Sequence, residues 1–287
     1  MLRVTVLICV LLPVLVQAQG NDLRQWVLVT TPEALSSSDT RLGDLEVLQD
    51  GRLPKEGRPL IQRRVPFHIG FVLYESGSGR SLPDHSVLLE SVLDWNANAV
   101  QHSKSDAFLV GFNDSILIST EPTTDTSQLH RALSAVRPFG GSALRDAIIH
   151  SAHKFDSVPR EPPGARLLVI VTDGHDNASH ATEREVIDTL QSSGVRAYVI
   201  CLPGGGTFKR DFLNRLARDT GGNAFFPSKQ DELDRVLAQV ERAIDNSFLI
   251  GLVPESHDGK AHKLTVRLPK TNADFGYMPV FYSTAVR

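Results

Sequence analysis

Cysteine is nearly absent from this chain, which has only Cys9 and Cys201 in 287 residues. Cys9 lies within an apolar N-terminal run, so removal of that run would leave one thiol and no internal disulfide. Stability then has to come from a packed core. Cys201 closes the apolar run 195–202, where a buried, inert thiol is expected because nothing beside it would lower its pKa. Long hydrophobic runs are lacking as well. Past the N-terminal run, no segment reaches the roughly 20 apolar residues that span a bilayer.

Charge of one sign is also scarce. Thirty Lys and Arg stand against 33 Asp and Glu, a net charge of -3. Basic residues adjoin only at Arg63-Arg64 and Lys209-Arg210, so the basic field that nucleic acid demands is missing. There is no internal repeat and no low-complexity tract. The usual signatures of catalysis are absent too. Glu75-Ser-Gly-Ser-Gly79 has its glycines misplaced for a nucleophile elbow. His175 and His180 are five residues apart with no Glu between them, unlike the zinc-protease pattern, and read as solvent-facing loop histidines. Gly204-Gly-Gly-Thr-Phe-Lys209 lacks the Lys-Ser/Thr ending of a phosphate loop and reads as a flexible turn. The expectation is a protein that is not an enzyme.

What is present begins with a leader. Arg3, the apolar run 4–16 and Val16-Gln17-Ala18 form the charged, apolar and small-residue pattern of a signal peptide cleaved after Ala18. Losing Arg3 takes the net charge from -3 to -4. About 270 residues remain, enough for one large domain or a medium domain with additions.

From residue 67 onward, strand and helix signals alternate. Phe67–Tyr74 is almost continuously apolar, as a strand buried on both faces requires. Residues 84–102 have helical spacing. Asp106–Phe112 and Ser115–Ser119 flank the hairpin signal Asn113-Asp114. Helices are expected over 127–136 and 144–155, and the strongest central strand over Arg166–Thr172. The rhythm continues with a helix over 183–192, a strand over 195–202, a helix over 208–219, a short strand over 223–226 and a last helix over 230–246. This order implies an α/β fold, a doubly wound and mostly parallel sheet covered by helices. Short strand-like pieces at 25–30, 44–48, 248–253, 263–268 and 280–283 suggest a small antiparallel β appendage from both chain ends. The expected division is a leader over 1–18, an N-terminal β segment over 19–62, the α/β domain over 63–246 and a C-terminal β segment over 247–287.

In such sheets ligands meet the carboxyl ends of the strands. Three segments should converge there: Glu75–Gly79 after the first strand, Gly140-Gly-Ser-Ala-Leu-Arg-Asp146 opening a helix, and Thr172-Asp-Gly174 ending the central strand. Together they resemble the metal-ion-dependent adhesion site of von Willebrand factor type A domains, over roughly residues 65–245. The resemblance implies Ser76, Ser78, Ser142 and Asp173 as metal ligands, a hard-oxygen set suited to Mg²⁺. It also implies a protein ligand, whose acidic residue completes the coordination in metal-competent relatives. Residues 45–51, 220–222, 258–264 and 276–277 extend the likeness to an exported, von Willebrand-related family abundant in acidobacteria.

One position departs from the pattern. The family's leading Asp falls at Tyr74, and a phenol does not replace a carboxylate near neutral pH. Glu75 is one residue late and should face the other way. The expected protein is therefore exported, periplasmic or secreted, and recognises a protein ligand through a degenerate adhesion site. A metal-independent scaffold of a cell-envelope complex is the alternative. The leader makes a direct prediction: N-terminal sequencing of the protein from its native envelope or medium should read from Gln19, and a chain starting at Met1 would contradict it.

Overall fold

The computed structural model describes residues 25–30, 45–54, 60–62, 65–75, 105–135, 139–158, 164–202, 209–228, 230–253, 255, 261–267, 276–277 and 281–283. The expected leader, the helix over 84–102, Ser76, Ser78 and most of the glycine-rich turn 204–209 lie outside the described residues.

The chain opens with β1 (Gln25–Thr30), β2 (Glu46–Gln49) and β3 (Leu60–Gln62) before the buried strand β4 (Phe67–Tyr74). Then come β5 (Asp106–Phe112), β6 (Ile116–Ser119), α1 (Thr126–Ser134), α2 (Leu144–Lys154), β7 (Ala165–Thr172), α3 (Glu183–Ser192), β8 (Val195–Cys201), α4 (Arg210–Asp219), β9 (Ala224–Phe225) and α5 (Gln230–Asp245). The chain continues through β10 (Ser247–Leu252), β11 (Ala261–Arg267), β12 (Gly276–Tyr277) and β13 (Phe281–Ser283).

Six strands form the main sheet in the order β6-β5-β4-β7-β8-β9. Strand β4 pairs in parallel with β5 on one side and β7 on the other, so strand order reverses at β4. Apolar side chains cover both faces of β4, β7 and β8, whose residues are almost all buried. Among the described strands of this sheet only β6 runs antiparallel, through the turn at Asn113-Asp114 and a bulge at Gly111/Phe112. Helix α3 starts at a capping box in which Thr182 and Glu185 satisfy each other's backbone donors. Helices α2, α3 and α4 pack side by side, and Leu233, Leu237 and Val240 of α5 join the same core.

The chain ends make two sheets rather than the one expected layer: β12-β1-β10-β3 and β13-β11-β2. Strict alternation explains their stacking. Val27, Val29, Phe248, Ile250 and Leu252 bury one face of β1 and β10 in a second core with Leu45, Val47 and Val266. Trp26, Leu28 and Leu249 turn the other face onto the main core. The four-stranded sheet is thus a middle layer, apolar on both faces.

Arg196 fixes the join. It belongs to β8, is 1% exposed, and donates to Leu28 O at 2.7 Å and to Thr30 Oγ1. Thr30 Oγ1 also meets Ser247 Oγ, whose hydroxyl donates to Ala243 O in α5. A buried guanidinium is costly unless its donors are used, so Arg196 demands that β1 be docked. Arg196→Met removes two charge-assisted bonds and should lower unfolding free energy by about 3 kcal/mol. Chemical denaturation measures this, and an unchanged midpoint would show that the appendage is held by apolar contact alone.

Candidate functional site

The site lies at the carboxyl ends of β4 and β7, beside the reversal of strand order. Asp173 follows β7 and is 0% exposed. Its Oδ1 accepts from the backbone N of His175 at 3.1 Å, and its Oδ2 lies 3.3 Å from His175 Nδ1. That second contact is misaligned for a hydrogen bond, so it is electrostatic, and Nδ1 itself is sealed from solvent. Gly174, at φ +80°, makes the return possible, because a left-handed residue between the two folds His175 back over the carboxylate.

Ser142, just ahead of α2, is 2% exposed. Its hydroxyl donates to His175 O at 2.7 Å, and its backbone N donates to Asn177 Oδ1 at 2.8 Å. Its carbonyl accepts from the backbone N of both Asn177 and Ala178. A Cβ at residue 141 would lie 2.7 Å from Asn177 Oδ1, so a side chain there would displace Asn177 from its bond to Ser142 N. One turn further along, Asp176 accepts from Arg145 Nε and backbone N, both at 2.9 Å. Asp146 accepts from the backbone N of His180 and Ala181. Burial raises the Asp146 carboxyl's pKa, but these bonds and the His180 ring outweigh it and leave the pKa low. The loop after β7 is therefore stitched to the start of α2 along its whole length.

The third wall comes from β5. Asn113, fully buried, accepts from Ser115 N at 2.9 Å and donates to Phe139 O at 3.2 Å. Phe139 N donates in turn to Glu75 O at 2.9 Å. Phe139 itself is 49% exposed, a large aromatic on the rim beside Gly140, Gly141 and Ser142.

Two of the four expected ligands, Ser142 and Asp173, are brought together, with His175 between them. Tyr74, where the sequence resemblance places the family's carboxylate, is fully buried. Burial, then the charges of Asp173, Glu75 and Cys201, push its ionisation far above the ordinary phenol range. Strand β4 runs in unbroken register with β5 to Tyr74, and Glu75 N continues the ladder to Phe112 O, so no bulge realigns Glu75. The Glu75 residue is 3% exposed, and desolvation raises its carboxyl to about 7. Cys201 is buried as expected, and burial followed by the Asp173 charge lifts its thiol to about 12, against an opposing effect of Arg210.

Mg²⁺ requires nearly octahedral oxygen donors, preferably anionic. Here the described donors are a neutral phenol, a hydroxyl bonded to a carbonyl, and one carboxylate already faced by His175. Among the described residues no three His, Cys, Asp or Glu side chains gather as a metal would need. Among the described residues only Asp173 offers such an ion a carboxylate, with Ser76 and Ser78 outside them. His175 also corrects the expectation of two solvent-facing histidines: its side chain is 28% exposed and packed on Asp173, whereas that of His180 is 97% exposed. Asp-Gly-His was the signal for it, since a glycine after a strand-ending carboxylate lets the next residue return. Phe139 was foreshadowed only as an aromatic before Gly-Gly in a loop.

Glu75 generates a pH prediction. Its proton is held more tightly in the folded chain, so its contribution is whole below pH 4.5 and is lost as pH rises through about 7. Glu75→Gln should flatten the fall of Tm over that window and raise Tm at pH 8. A fall identical to wild type would place its origin elsewhere.

The model of the von Willebrand factor type A domain matches residues 89–239. No curated protein matches the chain in sequence. The chain is similar to the solved von Willebrand factor type A protein of Catenulispora acidiphila, at 10% identity and TM-score 0.55, covering 83% of this chain and 73% of that one. Two further structures are similar. One is an aerotolerance-related membrane protein of Bacteroides fragilis, at 15% identity and TM-score 0.49, covering 63% of this chain and 98% of that one. The other is proximal thread matrix protein 1 of the mussel byssus with a zinc-occupied adhesion motif, at 17% identity and TM-score 0.49, covering 76% and 52%. The match spans more than half of the chain and covers strands β5 to β9 of the α/β sheet just described: this protein belongs to the von Willebrand factor type A domain family.

Proposed function

We propose that the protein is an exported, non-enzymatic binder that recognises a protein ligand through the loop surface around Ser142, Asp173 and Phe139. The observation that carries this reading is the exposed Phe139 ring on a rim whose backbone is fixed by Asn113 and Glu75. A rigidly mounted aromatic is the type of anchor that dominates protein interfaces. Domains of this family generally bind protein partners, and the surface coincides with the place where α/β sheets meet ligands. The adhesion site is degenerate on this reading, because Tyr74 replaces the leading carboxylate. Ser142 supports the non-enzymatic part, since its hydroxyl is committed to a backbone carbonyl and is not bonded to a side-chain base. The leader residues 1–18 support export.

One observation favours the alternative of a scaffold that binds through its appendage. Leu53, Leu60 and Val253 are exposed, and they cluster at one end of it. Leu60 lies opposite Gly251, and Gln49 bonds both Arg52 and Val253 O. A photo-reactive residue at position 139, and another at position 60, would separate the readings in the native organism. Cross-linking from 139 is expected, and Asp173→Ala, which releases the His175 turn that holds Ser142, should lower both its yield and Tm. Phe139→Ala should weaken capture of the cross-linked partner about tenfold or more, the loss of one interface anchor. Adducts from position 60 alone, with full capture by Phe139→Ala, would move the interface to the appendage.

A further inference from the structure

A divalent ion in this family's site would draw together the hydroxyl ahead of α2 and the carboxylate after β7. In this chain one residue does both. The N–H of His175 meets Asp173 Oδ1 at 3.1 Å and its ring Nδ1 lies 3.3 Å from Oδ2. Its carbonyl accepts the Ser142 hydroxyl at 2.7 Å. We infer that His175 takes the place of the divalent cation, so that the loop surface holds its shape and meets its partner without metal.

Charge and volume both support the substitution. Two carboxylates at positions 74 and 173 would need a dication between them, since like charges held close together in a buried site repel strongly. Tyr74 removes one of those charges and fills space at the carboxyl end of β4, where it is 0% exposed. What remains is a single carboxylate, and an N–H together with an imidazole is enough to face it. Burial without partners would be costly for Asp173, and His175 supplies two of the contacts that meet it. The order of residues fits as well: Gly174 at φ +80° lets the residue two after Asp173 return over it. The stitching of 176–181 to 142–146 by Asp176, Asn177 and Asp146 holds the same loops together by protein bonds alone.

This inference deepens the proposed binding role and rests on it for the existence of a partner, but its decisive tests need only the protein and metal salts. In wild type, Tm should be the same in millimolar Mg²⁺ and in EDTA, and Mn²⁺ should not broaden the NMR signals of Gly174, His175 and Ser142. His175→Ala should lower Tm, and Mg²⁺ should not restore it. The double variant Tyr74→Asp with His175→Ala should gain Mg²⁺-dependent stabilisation at least tenfold more sensitive to concentration than Tyr74→Asp alone. Selective Mn²⁺ broadening in wild type would overturn the inference. So would a Tm that falls in EDTA, or Mg²⁺ binding by Tyr74→Asp as tight as by the double variant. If His175→Ala does not fold, the wild-type titrations decide. Capture of the cross-linked partner should be equal with and without chelator. A protein that captures nothing would refute the binding role and leave the metal titrations to judge His175 separately.

Discussion

Asp173 is a carboxylate at the end of the most apolar strand of the main sheet, with 0% exposure. A charge so placed has to be met from within the protein, and the groups that meet it determine how the loops above the sheet are arranged. Gly174 turns the chain, His175 returns over the carboxylate, and the carbonyl of His175 then captures the hydroxyl of Ser142. Through Ser142 the start of α2 is drawn in, and through Asn113 and Phe139 so is the turn after β5. Three loops from distant parts of the chain thus share one electrostatic obligation.

Much of this was legible in the sequence, and the reasons are physical. Strands buried on both faces, such as 67–74 and 166–172, cannot avoid being apolar throughout, so they announce themselves. Parallel strands need helical crossovers, so the alternation of signals gives the sheet. The converging loops followed from the sheet, and with them the positions of Ser142 and Asp173. Less visible were features decided by packing. The two sheets made by the chain ends looked like one, because strand-like runs say nothing of which partner they choose. Strand β3 has only three residues, too few to carry a period. The role of His175 depends on a backbone turn and a contact of 3.3 Å, neither of which a spacing of histidines can express.

On the proposed reading, the neighbourhood of Asp173 is a family site that has changed character on an intact fold. Tyr74 and Cys201 lie near enough to feel its charge, and burial disfavours the ionisation of both. A site of this kind carries less charge than one designed around a dication, and the rim beside it offers Phe139 in the open. On the proposed reading, recognition shifts from coordination toward apolar contact at the rim. The same sheet supports either chemistry because it only has to deliver the ends of β4 and β7 to one place.

The middle sheet has a consequence for how the molecule comes together. Thr30 and Ser247 are paired although they lie 217 positions apart in the chain, and β1 forms its antiparallel ladder with β10. Loop closure over such a distance is entropically expensive and slow relative to local steps. The α/β sheet can assemble from neighbouring units, but β1 has to wait, with Trp26 and Leu28 uncovered, until α5 has delivered β10. Arg196 waits with it, its guanidinium without Leu28 O or Thr30 Oγ1. Completion of the fold is therefore signalled by a strand from near the start of the chain, and the interval before it docks is when the chain is most open to a chaperone or to aggregation.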